Sequence, residues 1–355
     1  MAYISFQPQD YFNTKLYTGN GSASDRTITG VGFQPDFLWN KSRSNAYNHY
    51  IFDVLRGTNM ISSNTTQEQE DKSPQFSALT SDGFTIRNDA GSLAINASGV
   101  TFANWCWKAN GTGSANTDGT ASNVTVSANQ TSGFSIVQFD ATQSRVSVGH
   151  GLGSTPDAII MKETEGSGGW VVGGFGLDWS GYLSLQSTNA FNNDSNDSSG
   201  TGRMFTPDGY APTSSVWSTN GSAFLSGGTK TCIAYCFKSI KGYSKFGSYV
   251  GNGDANGPMI YTGFKPAWVI IKQSSAVRDW IMVDNKRDPD NVVSNRLFPN
   301  NTDAQNTNND MLDFTSNGFK IKNTNSTANN NGTNNYIFMA FAEEPLVGDN
   351  PATAR

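Results

Sequence analysis

Apolar residues in this chain fall in short runs rich in Val, Ile, Phe, Tyr and Trp, separated by Gly, Asn, Asp, Ser and Pro. That spacing predicts many strands joined by tight turns. No 3.6-residue periodicity is sustained beyond about two turns, so no substantial helix is predicted. Thr65–Asp71 is polar all round and reads as a loop or short surface turn. Thr101–Lys108 alternates, with Ala103, Trp105 and Trp107 on one side and Phe102, Asn104 and Cys106 on the other. The run Tyr336–Phe341 is apolar at every position, which predicts a strand covered on both faces.

Three landmarks recur in the same order three times. The first is a Gly-apolar-x-Pro phrase running through three apolar residues to a Lys: Gly32–Lys41, Gly151–Lys162 with two inserted residues, and Gly263–Lys272. The second is Ser81-Asp82-Gly83-Phe84, then Pro207-Asp208-Gly209-Tyr210, then Ser316-Asn317-Gly318-Phe319. The third is Trp105-Cys106-Trp107-Lys108, Tyr235-Cys236-Phe237-Lys238 and Met339-Ala340-Phe341-Ala342. The repeat length is that of a domain, far above the roughly 20–50 residues of a solenoid unit. The expectation is an all-β chain of three tandem antiparallel β-sandwiches, at 17–115, 116–241 and 242–345. An N-terminal arm, 1–16, and a C-terminal extension, 346–355, flank them. The landmarks read as corners: Gly frees the backbone, Pro fixes φ before a strand, and Asp-Gly turns the chain.

Composition narrows the partners. A net charge of −5 with only 15% charged residues does not supply the clustered Lys and Arg a phosphate backbone requires, so no nucleic-acid partner is expected. No apolar run approaches the roughly 20 residues of a membrane span, and the opening Met1–Phe6 has no signal-peptide pattern. Cys106 and Cys236 occupy equivalent positions and the third unit has Ala340 there, so the site is a small packing position and the thiols stay free.

Candidate chemistry is sparse. His49 and His150 sit at non-equivalent places, and no phosphate loop, nucleophile elbow or zinc motif occurs. Asp284, Asp288 and Asp290 could hold an acid–base pair for glycoside hydrolysis, but the other units do not keep the set, and such alternating charge reads as a solvated surface ladder. Asn192–Gly200 offers oxygen ligands but lacks the spacing and terminal Glu of a calcium loop. No catalytic residue, cofactor or metal is therefore assigned. Tyr47, Trp179, Trp217 and Trp280 are the candidate ligand-binding aromatics, because sugar rings stack on such side chains. Phe6, Tyr11 and Phe12 make the arm apolar and mark it as a capping strand or an anchor to another subunit.

Ile4–Lys15 followed by Leu16–Gly21, with Gly32–Asp36, Trp105–Lys108 and Gly263–Ala267, resembles structural proteins encoded by tailed phages of marine bacteria and cyanobacteria. The resemblance covers nearly the whole chain. It implies concanavalin-like lectin domains on the outer surface of a virion assembled in the host cytoplasm. The implied role is non-enzymatic, a tail fibre or appendage binding a host cell-surface glycan, with capsid decoration or a head fibre as the alternative. A polysaccharide-degrading enzyme is the third reading. Other virion proteins are the implied partners, and a homotrimer is expected from phage appendages in general.

Overall fold

The computed structural model describes residues 6–88, 94–193, 204–206, 210–307, 310–323 and 330–344. The Asp208-Gly209 turn, most of the Asn192–Gly200 loop and the 346–355 extension lie outside them. The described chain is all-β, with only short 3-10 turns such as Pro8–Asp10 and Gly221–Ala223 besides strands.

Unit 1 contains β1 (Phe12–Thr18), β2 (Arg26–Thr29), β3 (Phe37–Ser42), β4 (Tyr50–Asp53), β5 (Asn59–Met60), β6 (Glu70–Asp71), β7 (Phe76–Thr80), β8 (Gly83–Ile86) and β9 (Thr101–Trp107). Unit 2 is entered through β10 (Ser114–Ala115) and β11 (Ser122–Asn129). It continues with β12 (Phe134–Ala141), β13 (Arg145–Gly149), β14 (Ala158–Glu163), β15 (Val171–Gly174), β16 (Val216–Asn220) and β17 (Lys230–Phe237). Unit 3 comprises β18 (Ser244–Val250), β19 (Met259–Tyr261), β20 (Pro266–Gln273), β21 (Trp280–Asp284), β22 (Leu312–Thr315), β23 (Gly318–Ile321) and β24 (Asn335–Ala342).

One antiparallel arrangement recurs. The main sheets are ordered β1-β9-β3-β4, β12-β17-β14-β15 and β18-β24-β20-β21, so each unit's first strand pairs with its last. In unit 2 the strands β10 and β11 extend the sheet to six. A smaller sheet accompanies each: β2-β8-β7, β13-β16 and β19-β23-β22. The arm is shorter than the 1–16 read from sequence, because Phe12 already opens β1, pairs with Trp107 and is fully buried.

The second landmark has a steric cause. A Cβ on Gly83 would lie 1.8 Å from the Ile28 carbonyl oxygen, and one on Gly318 would lie 2.0 Å from that of Ile260. Only Gly lets the turn press its strand against the neighbouring strand.

Every main sheet is apolar on both faces. In unit 1, Leu38, Phe52, Phe102 and Cys106 of the main sheet share a cluster with Ile28, Phe84 and Ile86 of the smaller one. Units 2 and 3 have corresponding clusters, holding Cys236 and Ala340 at the position of Cys106. The opposite faces do not go to solvent. Trp39, Trp105 and Trp107 of unit 1, Ile160, Trp170 and Tyr235 of unit 2, and Trp268, Met282 and Met339 of unit 3 belong to a single shared cluster. The alternation read along Thr101–Lys108 is this division: Ala103, Trp105 and Trp107 face the shared core, and Phe102 and Cys106 face the unit's own. The three units therefore meet face-inward, each contributing an apolar sheet surface that burial drives together.

Candidate functional site

The polar groups at the edges of the shared core repeat with a three-fold pattern, and each of them crosses from one unit to another. The Lys ending the first landmark is fully buried in every unit. Lys162 donates to the Thr66 carbonyl of unit 1 at 3.2 Å, Lys272 to Thr188 of unit 2 at 3.3 Å, and Lys41 to Thr302 of unit 3 at 3.0 Å. Lys162 and Lys272 also hold carbonyls of their own unit, those of Glu163 and Gln273, each at 2.7 Å. Burial pushes each of the three amines down to about 8.

A ring four residues before the end of the fourth main strand crosses the same boundaries. Trp170 Nε1 donates to the Ser62 carbonyl at 2.8 Å and Trp280 Nε1 to Ser184 at 3.0 Å. In unit 1 the equivalent residue is His49, whose Nε2 lies 2.9 Å from the Phe298 carbonyl. Trp39 Nε1 donates to His49 Nδ1 at 2.9 Å, so Nε2 carries the proton. Burial holds the His49 imidazole well below its usual value, with Lys41 acting in the same direction. Main-chain bonds complete the set: Gln69 N to Thr164 O, Phe191 N to Ser274 O, and Gln305 N to Arg43 O.

These contacts run from unit 2 to unit 1, unit 3 to unit 2 and unit 1 to unit 3. The single chain thus closes into a ring with approximate three-fold symmetry. The ends are tied as well: Phe6 packs edge-on against Tyr11 and Tyr243, and Phe12 stacks on Phe341 with ring centroids 5.2 Å apart. Phe6, Tyr11 and Phe12 are thereby occupied within the molecule, joining unit 1 to unit 3.

Two of the three seams also hold a buried ion pair. Asp53 pairs with Arg56 at 2.7 Å and accepts from Tyr235 Oη at 2.7 Å. Asp284 pairs with Arg287 at 2.5 Å and accepts from Trp105 Nε1 at 3.0 Å. The third copy has Gly174 and Met339 at the corresponding places and makes no such contact. Asp284 is fully buried, Asp288 is drawn into contacts with Ser294 and Asn295, and Asp290 is exposed, so the three carboxylates sit in different environments.

The aromatics expected to stack on a ligand separate into two groups. Trp280 is in the shared core and bonds Ser184, and Trp217 is fully buried against Phe139 in the core of unit 2. Neither presents a ring face, because at these positions the apolar body fills the interior. Tyr47 and Trp179 are half-buried, packed on their own units' cores. They lie in different units and form no common platform. The cysteines are free and buried, as their equivalence suggested.

Reading the first landmark as corners overlooked the role of its Lys. The available signal was a cation at the end of three otherwise apolar strands. Its partner carbonyls are distant in sequence, 261 residues for Lys41, and no motif announces them.

A family model described as Domain of unknown function (DUF7483) matches residues 7–345. The chain belongs to that family. The DUF7483 match runs from the turn before β1 to just beyond β24 and takes in all three units, so the whole ring corresponds to the family's one unit. No curated protein and no solved structure matches the chain.

Proposed function

We propose that this chain is a non-enzymatic surface protein of a phage virion, built of three lectin-like β-sandwiches of the jelly-roll or concanavalin kind, and serving in a tail fibre or appendage to attach to host-surface glycan. The observation that carries it is the closed ring. Buried Lys, Asp and Arg side chains are consumed in joining units, and what the ring offers outward is three similar sets of small sheets and polar loops. A rigid display of like modules suits adhesion, where several weak contacts add by avidity. The residues that recur are those that hold units together, which is the economy of a scaffold. The resemblance of Ile4–Gly21 and the repeated landmarks to phage structural proteins supplies the virion setting.

The test is adsorption. Labelled protein is expected to bind susceptible cells saturably and to compete with intact particles; failure to adsorb to any susceptible cell ends the reading. A capsid decoration or head-fibre role is the second reading, favoured by the three-fold arrangement, which matches a three-fold position on a shell. Antibody labelling of particles separates the two by showing tail or head.

A further inference from the structure

The three seams are filled differently. At the junction of units 2 and 3, Phe191 occupies the position seven residues beyond the Ser184 carbonyl and packs on the shared core. At the junction of units 3 and 1 the equivalent residue is Gln305, which accepts from Arg43 Nε at 3.0 Å and donates to Asn295 at 2.6 Å. At the junction of units 1 and 2 it is Gln69, and there the seam is open. A groove of about 510 Å³ lies between the segment Met60–Glu70 and the Gly166-Ser167 loop of unit 2.

Chemistry on the walls is specific. Gln69 Oε1 and Thr65 Oγ1 are shielded from solvent and have no hydrogen-bond partner in the protein. Shielded polar atoms are ordinarily satisfied, and leaving them unmet is unfavourable. Gln67, Glu68, Glu70 and Ser167 add amide, carboxylate and hydroxyl groups, and Met60 adds an apolar patch. The cations nearest these carboxylates are already engaged: the Lys162 ammonium, close enough to Glu68 to interact with it, is turned to the Thr66, Glu163 and Gly166 carbonyls, and Lys72 is paired with Glu70. The walls therefore hold no surplus positive charge for an anionic ligand, while ligand hydroxyls can donate to the carboxylates, bond the Gln67 amide and, once the Gln69 or Thr65 side chain turns outward, meet its unpartnered oxygen. The volume falls in the range typical of small-ligand sites, about 300–1,000 Å³.

We propose that this groove at the seam of units 1 and 2 binds an uncharged saccharide. The inference rests on the attachment reading above and gives it a location. Gln69→Phe imports the residue that fills the equivalent place in the next seam and retains the main-chain bond to Thr164. Gln67→Ala alters an exposed wall residue, so it serves as a second variant should the Phe not be accommodated.

The experiment applies wild type and both variants to an array of immobilised bacterial O-chain and capsular polysaccharides, neutral and acidic, with thermal melts as the folding control. The expected result is wild-type binding to neutral chains, weakened at least tenfold by both substitutions at unchanged Tm. Wild-type binding that both variants retain within twofold overturns the groove and leaves attachment standing elsewhere on the ring. Groove-dependent binding confined to acidic chains overturns the ligand class. Wild type binding to no polysaccharide overturns this inference; if susceptible cells are still adsorbed, attachment itself survives through another receptor.

Discussion

Tyr235 donates its phenolic proton to Asp53 across the boundary between units 2 and 1, and the bond is 2.7 Å long. Its counterpart in unit 1, Trp105, does the same to Asp284 of unit 3 with an indole N–H at 3.0 Å. Different chemistry thus fills one geometric role: a ring from the last strand of one unit meets the carboxylate ending the fourth strand of its neighbour. Tyr235→Phe should cost about 1.5–3 kcal/mol, because a hydrogen bond to a buried charge is lost while the ring remains. Asp53→Ala should cost about 3–5 kcal/mol, since it leaves the Arg56 guanidinium buried without its partner. Urea unfolding of the two variants measures both; equal losses would show that the carboxylate matters only to the tyrosine.

The shared core makes the units dependent on one another. Residues 116–241 produced alone should be insoluble or molten, because the face carrying Ile160, Trp170 and Tyr235 would meet water. The intact chain should unfold in one cooperative step, since the three units share one core. Calorimetry with three separated transitions would contradict this.

Stability should fall on mild acidification. His49 has a folded-state pKa well below its unfolded value near 6.5, so below that pH the unfolded chain binds a proton that the native ring refuses. The contribution is about 1.4 kcal/mol per pH unit while the native imidazole stays neutral. His150 is shifted the same way, also by burial. Melts between pH 7 and 5 should show a shallower slope for His49→Gln than for wild type; identical slopes would remove His49 from the account.

Alkali should act in the opposite sense at first. The three buried lysines have folded values of about 8, below their unfolded 10.5. Between those limits the unfolded chain holds more protons, so stability rises with pH, by at most about 1.4 kcal/mol per unit for each lysine. Above pH 10 buried tyrosines such as Tyr243, whose folded values are raised by burial, reverse the trend. Lys272→Met should flatten the rise between pH 8 and 10. It should also cost about 1–3 kcal/mol at pH 7, because the Thr188, Gln273 and Ala276 carbonyls lose their donor. An unchanged slope in melts of this variant would mean that the amine is not the titrating group.

Much of the local structure could be read from the chain. Alternation along Thr101–Lys108 gave the correct two faces, and the all-apolar Tyr336–Phe341 marked a strand buried from both sides. Equivalence of Cys106, Cys236 and Ala340 pointed to an inner packing position. Pattern could not say what covers the second face, because an apolar sheet surface looks the same whether its partner is a helix, another unit or another subunit. Trp217 and Trp280 could not be told apart from Tyr47, since a large ring in a loop-rich stretch carries no mark of depth. The Lys41–Thr302 contact joins the first unit to the last, and such pairings leave no trace in local spacing. Gln69 was likewise indistinct within a polar loop; only comparison with Phe191 and Gln305 in the folded ring sets it apart.

Divergence among the seams has a consequence for assembly. Were the boundaries identical, a nascent chain could mate any module with any other, including those of a neighbouring chain on the ribosome, and close rings of the wrong order or the wrong ownership. A tyrosine-to-carboxylate joint, an indole-to-carboxylate joint and an uncharged Gly174–Met339 joint are mutually ill-matched, so incorrect partners would strand an ionised side chain in oil. Unequal joints thereby number the modules.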